Sequence, residues 1–221
     1  AKDPYNHLLA RTPARRLTAE LLRDQSLFVS GLLVEKQGGP SVYPYQPDGL
    51  WEGATSGRGI LSVYKQDHGE SLYRRELYTF VKRTVPPPTM GIFDASNRDQ
   101  CEVKRLRTNT PLQALMMMND PMVLEASRVL AAKLLTEETL VTDKIKKAFR
   151  LIVCRKASEE EVKVLQEYFE TELVKLSPKS AEALLQVGEY PRPKNIDPVT
   201  LAAMMLVLNT IYNLEETITK S

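Results

Sequence analysis

Residues 110–135, TPLQALMMMNDPMVLEASRVLAAKLL, decide the fold class. Thr110 before Pro111, and Asp120 before Pro121, each set a side-chain acceptor ahead of a residue whose missing N–H costs a first helical turn nothing. The pattern predicts one helix through the methionines to Met118 and a second to about residue 135. Downstream, the same signals predict helices over 143–154, over 159–176 behind the capping box Ser158-x-x-Glu161, and over 198–215 behind Asp197. Pro191-Arg192-Pro193 separates the last two. Upstream, Leu17, Leu21, Leu22, Phe28, Val29, Leu32 and Leu33 recur at helical spacing and predict a helix over 18–34, with Thr18 as its cap and Gly38-Gly39-Pro40 as its stop. Residues 38–69 mix glycines, prolines, tyrosines and the only tryptophan, with no sustained period beyond a short apolar run at 60–64. Segments of that kind are commonly functional or partner-dependent loops. Residues 77–81 fit a strand and a helix equally. The expectation is a mainly α single domain over 1–221: a leading helix (1–37), an irregular polar and aromatic region (38–109) with room for a small β-hairpin, and a helical region (110–221).

Composition is that of a chain able to bury a sizeable core: 221 residues, 43% hydrophobic and 26% charged, with net charge +2. That balance argues against a surface devoted to nucleic acid. No apolar run approaches the roughly 20 residues of a membrane span, and no charged-then-apolar leader opens the chain. Cys101, in a polar stretch, and Cys154, behind Leu151-Ile152-Val153, read as two free thiols, although an oxidising compartment permits one bridge. There is no C-x-x-C-H, so this chain attaches no c-type haem by itself.

Charge is unevenly placed. Between Arg74 and Arg107 stand eight Lys or Arg against four Asp or Glu. Guanidinium forks suit carboxylates, sulfates and phosphates, which makes Arg74, Arg75, Arg98, Arg105 and Arg107 candidate ligand-binding residues, with Asn109 and Gln113 as hydrogen-bonding arms. The structural alternative pairs these arginines with Glu76, Asp94, Asp99 and Glu102. His68, in the turn Asp67-His68-Gly69-Glu70, is the best single acid or base, and Asp94 and Asp99 are the carboxylates a glycosidase-like reaction would use. The turn reads as solvated rather than metal-binding, and the expectation is no metal. Tyr43, Tyr45, Trp51 and Tyr64 read as anchors pinning the irregular region, and the methionine run reads as adaptable packing, since consecutive helix positions diverge by about 100°. Thr110 is expected to cap its helix, with Asp94 of the Phe93-Asp94-Ala95 turn joining that helix start.

Residues 73–121, YRRELYTFVKRTVPPPTMGIFDASNRDQCEVKRLRTNTPLQALMMMNDP, together with residues 3–52, 64–80, 148–158 and 208–221, resemble the planctomycete-type domain of unknown function, the PSD-one type. This domain forms the C-terminal part of secreted proteins that often carry a planctomycete c-type cytochrome domain. The resemblance implies a periplasmic, cell-envelope or secreted setting, an association with polysaccharide breakdown, and haem on another domain if anywhere. It also implies a helical section ahead of residue 3 as a partner, so Leu21, Phe28 and Leu32 are expected to expose apolar surface and the chain to self-associate or be marginally stable. The leading functional reading is an accessory or scaffold domain contacting an anionic glycan. The alternative is part of a saccharide-acting enzyme, hydrolytic or oxidative, with its site shared with that front section.

Overall fold

The computed structural model describes residues 3–8, 10, 14–55, 58–59, 61–96 and 98–220. In chain order come β1 (Arg15–Arg16), α1 (Ala19–Ser30), α2 (Leu50–Thr55), α3 (Pro88–Ile92), α4 (Pro111–Asn119), α5 (Pro121–Glu137), α6 (Val141–Ile152), α7 (Glu159–Lys175), α8 (Pro178–Leu185), α9 (Pro198–Tyr212), α10 (Glu215–Ile218) and β2 (Thr219–Lys220). The fold is mainly helical, as expected. Its small β element is an antiparallel pairing of β1 with β2, which joins distant parts of the chain instead of closing a local hairpin.

Helix α9 is the axis of the core. It is apolar on every side, so it must be surrounded; Leu201 to Met205, Val207, Leu208, Ile211 and Tyr212 are all buried, with α5, α7 and α8 packed around them. Local signals set most helix starts. Asp120 accepts from the amides of Met122 and Val123, Asp197 from Thr200, and Ser158 and Glu161 form the reciprocal capping box. Three details differ from expectation. Gly31, in the left-handed region at φ 83°, ends α1 well before Gly38, because a residue without Cβ takes that conformation freely and lets its amide reach the carbonyls of Leu27 and Phe28. Helix α8 was not among the expected elements, although Ser177 before Pro178 carries the same start signal as Asp120 before Pro121. Thr110 makes no side-chain cap on α4.

The irregular region is laced to the body by polar stitches. Val34 N–H donates to the Tyr73 carbonyl at 3.0 Å, and Val42 bonds the backbone of Tyr78 and Phe80 at 2.8 and 2.9 Å. Residues 76–78 form a single 3₁₀ turn, neither the strand nor the α-helix that composition allowed. Tyr43 stacks on Phe80 with centroids 5.0 Å apart, and buried Trp51 meets the Tyr64 ring edge-on at 5.1 Å, so these aromatics are anchors. Ile60, which opens the short apolar run, lies outside the described residues. Leu21 and Phe28 are exposed as expected, whereas Leu32 is buried, because the chain turns inward after Gly31. Among the described residues no helix is long and apolar enough to cross a membrane. Cys101 and Cys154 are free and exposed.

Candidate functional site

A cavity of about 210 Å³ opens where β1, the turn after α3, the loop at 105–107 and the start of α4 meet; Arg16, Thr18, Phe93, Asp94, Arg105, Leu106, Arg107 and Gln113 line it. Asp94 takes φ 57°, a left-handed conformation that Asp tolerates better than most residues. Both its oxygens are engaged by Thr108, whose amide donates at 2.6 Å and whose hydroxyl lies at 2.9 and 3.1 Å. The turn after α3 is therefore joined to the approach to α4 through Thr108, not through Thr110 as expected. Gln113, only 1% exposed, closes the back wall. Its amide donates to the Ile92 carbonyl at 2.9 Å and to the Thr108 hydroxyl at 3.2 Å, while its oxygen accepts from Arg16 Nη2 at 2.8 Å.

Three guanidinium groups surround this wall. Arg16 also donates to Glu215 at 3.0 Å, and Arg105 Nη1 reaches both Glu20 oxygens at 2.9 Å. Burial works to raise the Glu20 carboxyl, and hydrogen bonds from its backbone and from Arg105 outweigh it, leaving Glu20 below the usual range. Arg107 is exposed and has no ion-pair partner among the described residues. The pocket thus combines two arginines held rigid by carboxylates with a third whose charge is uncommitted. Arg16 was absent from the sequence candidates, because only the β1–β2 pairing brings it to α4.

The structure gathers Asp94, Arg105, Arg107 and Gln113, and sends the other candidates elsewhere. Arg74 is buried and donates to the carbonyls of Lys36 and Pro40 at 3.0 and 3.1 Å and to that of Gly38, with its guanidinium 3.8 Å from the Tyr78 ring centre. It staples the irregular region. Arg75 pairs with Asp24 at 2.8 Å. Arg98, Asp99 and Asn109 are exposed, and Arg98 sits at φ 60° with its amide donating to Ser96. His68 is bonded to Glu189, which lies beyond α8 in the chain, and that contact, together with the Gly69 amide, holds the Glu189 carboxyl below its ordinary range. Of the candidate arginines, Arg75 and Arg105 do pair internally, with Asp24 and Glu20 on α1 rather than with the carboxylates nearer in sequence. No group of three or more His, Cys, Asp or Glu among the described residues is arranged to hold a metal ion.

Two buried polar centres escaped the sequence reading. Glu76 pairs with Arg23 at 2.8 Å and accepts from the Thr79 hydroxyl at 3.0 Å. Burial nonetheless pushes its carboxyl up to about 7, with Arg23 and Thr79 only partly offsetting it. The adjoining cavity, lined by Met90, Met116, Met117, Met122 and Asp120 among others, holds about 40 Å³, room for little more than a water. The second centre is Glu125, fully buried on α5, which accepts from the Tyr45 and Tyr73 hydroxyls at 3.0 Å each and from the Tyr190 amide at 2.7 Å, with Arg128 at 3.5 Å. Burial and the Glu125 charge push the Tyr45 hydroxyl up to about 12. A signal for this centre was present: Glu125 and Arg128 stand three apart on α5 among mostly apolar neighbours.

A family model described as PSD1, protein of unknown function (DUF1553), matches residues 1–169. No curated protein and no solved structure matches the chain. The matched span contains every residue lining the arginine pocket, whereas α8 to α10 and the resembling segment at 208–221 lie beyond it.

Proposed function

The chain belongs to the PSD1 family of proteins of unknown function, and from that premise we propose that it is a binding module whose arginine pocket holds one anionic group of a larger partner. The observation that carries this reading is the convergence of Arg16, Arg105, Arg107 and Gln113 on a cavity of about 210 Å³. That volume suits a single carboxylate, sulfate or phosphate and the atoms next to it, not a polymer. Fixed guanidinium forks recognise such groups through paired charge-assisted hydrogen bonds, and little reorganisation is needed when the forks are already held. Glu20, Glu215 and Gln113 supply that holding here.

Binding is favoured over proton transfer by where the titratable candidates stand. Asp94 has both oxygens turned onto Thr108, and His68 is held by Glu189 outside the pocket. In this reading the setting is periplasmic or cell-envelope, any haem is carried by another domain, and an acidic polysaccharide is one carrier of the anionic group. Thermal melting in sodium sulfate and sodium acetate, with sodium chloride as reference, tests the pocket. Both anions should stabilise the chain beyond chloride, and Arg107→Ala should remove most of that difference. Sulfate also stabilises proteins by exclusion from their surfaces, so an anion effect equal in both proteins would overturn the reading.

A further inference from the structure

A second cavity, of about 730 Å³ and sharing no lining residue with the arginine pocket, opens between α5 and residues 190–193. On the helix side Arg128, Ala132 and Thr136 stand four apart, as do Val129 and Lys133 beside them, so one stripe of α5 forms the wall. Pro191 and Pro193, whose rings fix the backbone, form the facing wall with Tyr190 and Arg192. The contacts that hold these walls are ones the arginine pocket leaves unused. Arg128 Nη2 donates to the Tyr190 carbonyl at 2.7 Å, the Tyr190 amide to Glu125 at 2.7 Å, and the Glu189 amide to the Tyr45 hydroxyl at 2.9 Å. His68 holds the Glu189 side chain in turn. The Glu125 centre and the His68–Glu189 pair thereby fix the cavity in advance of any occupant.

Its lining is apolar with a positive sign. Three cations border it, Arg128, Lys133 and Arg192, against one carboxylate, Glu137, which lies 3.0 Å from Lys147. Glu125 and Glu182, the carboxylates nearest Arg128 and Arg192 at 3.5 and 2.7 Å, do not line the cavity, so the positive ends of both pairs border it and the negative ends stand outside. Lys133 is exposed and has no ion-pair partner among the described residues. Arg128 is only 2% exposed, and its Nε has no hydrogen-bond acceptor among the described residues. Burial draws its guanidinium below the ordinary value; the Glu125 charge counters this and the Arg192 charge adds to it. An anion between the two guanidinium groups would relieve that repulsion. We propose that this cavity binds a small molecule made of an apolar ring and one carboxylate or sulfonate. The anion sits among Lys133, Arg128 and Arg192, and the ring lies against Tyr190, Ala132 and the two prolines. The volume falls in the range of small-molecule sites, whose walls are mostly apolar with a few fixed polar groups. This inference is independent of the arginine pocket.

Isothermal titration calorimetry on the full chain tests this with naphthoate, its neutral analogue naphthamide, and straight-chain octanoate. Naphthoate should show a saturable site that survives Arg107→Ala, weakens as salt rises, and is tighter than for either other probe. Lys133→Gln with Arg192→Gln, both at exposed positions, should weaken naphthoate about tenfold and leave naphthamide unmoved. Ala132→Met, a good helix former that fills part of the cavity, should weaken both. Arg128 is kept, because its removal would leave Glu125 buried without its cation. Lys133→Gln alone, which breaks no ion pair, serves where the double variant loses its melting transition. No saturable naphthoate binding, binding lost with Arg107→Ala, or binding indifferent to Ala132→Met or to the charge changes overturns the inference. Naphthamide as tight as naphthoate would overturn the anionic assignment, and octanoate tighter than naphthoate would overturn the ring.

Discussion

Arg23 and Glu76 meet at 2.8 Å in the interior, and their chain neighbours Asp24 and Arg75 meet at 2.8 Å nearer the surface. Two consecutive charged residues on α1 thereby clasp two at the start of the 3₁₀ turn, and Asp24 also accepts from the Glu76 amide at 2.8 Å. The clasp fixes the irregular region against the leading helix, and its buried half titrates in a measurable window. Glu76 has its folded-state carboxyl raised from 4.5 to about 7. Below about pH 4.5 both folded and unfolded chains hold the proton; between about 4.5 and 7 the unfolded chain ionises while the folded one keeps its buried proton, so stability falls across that window and levels off above it. The loss approaches about 3 kcal/mol by pH 8. Urea denaturation at pH 5 and pH 8 should show it, and Glu76→Gln should match the parent at pH 5 and exceed it at pH 8. A variant with the parent's pH dependence would assign the loss to other groups.

The Asp94–Thr108 bond should couple the turn after α3 to the approach to α4. In a double-mutant cycle, Asp94→Ala and Thr108→Val are expected to fall short of additivity by about 1–2 kcal/mol, the scale of a charge-assisted hydrogen bond. Thr110→Ala, which removes no cap, should stay within about 0.5 kcal/mol of the parent. Additive losses at Asp94 and Thr108 would show the two segments to be independent.

Gly188 is required by two constraints at once. Its φ of 75° is left-handed, and a Cβ placed there would overlap the Glu125 carboxyl, which packs directly over it. Substitution to Ala should cost about 2–4 kcal/mol, because the backbone is strained and the buried carboxylate must shift away from Tyr45, Tyr73 and the Tyr190 amide. A melting temperature unchanged in Gly188→Ala would mean the 188–190 loop moves without penalty.

Arg155 binds Glu161 at the start of α7 and Glu216 on α10 together. The guanidinium lowers the Glu161 carboxyl to about 2, so this network stabilises above about pH 4.5 and is lost as pH falls toward 2. The groups are partly exposed, and Arg155→Ala should cost about 1 kcal/mol at pH 7. The difference from the parent should shrink steadily in acid, read as converging denaturation midpoints. A difference constant down to pH 2 would point to lost packing against Phe149 instead.

Helix starts were legible in the sequence because they are chosen within one turn of chain: Asp120, Ser158 and Asp197 cap amides two or three residues ahead. The aromatic anchors were legible too, since Trp51 and Tyr43 among glycines and prolines have little to do except hold that segment down. Side-chain partnership was not. A count of arginines cannot tell that Arg74 spends its donors on backbone carbonyls, that Arg105 crosses 85 residues to Glu20, or that Arg16 arrives beside Gln113 through the β1–β2 pairing. Charged side chains carry no local period and accept any partner that packing delivers, so their matching follows from how α1, α4 and the chain's distant segments come together. The sequence by itself determined a helical fold, the caps of several helices and four members of the pocket. Tertiary structure decided which cations remained uncommitted, because only packing brings a carboxylate within reach of one arginine and leaves the next facing water.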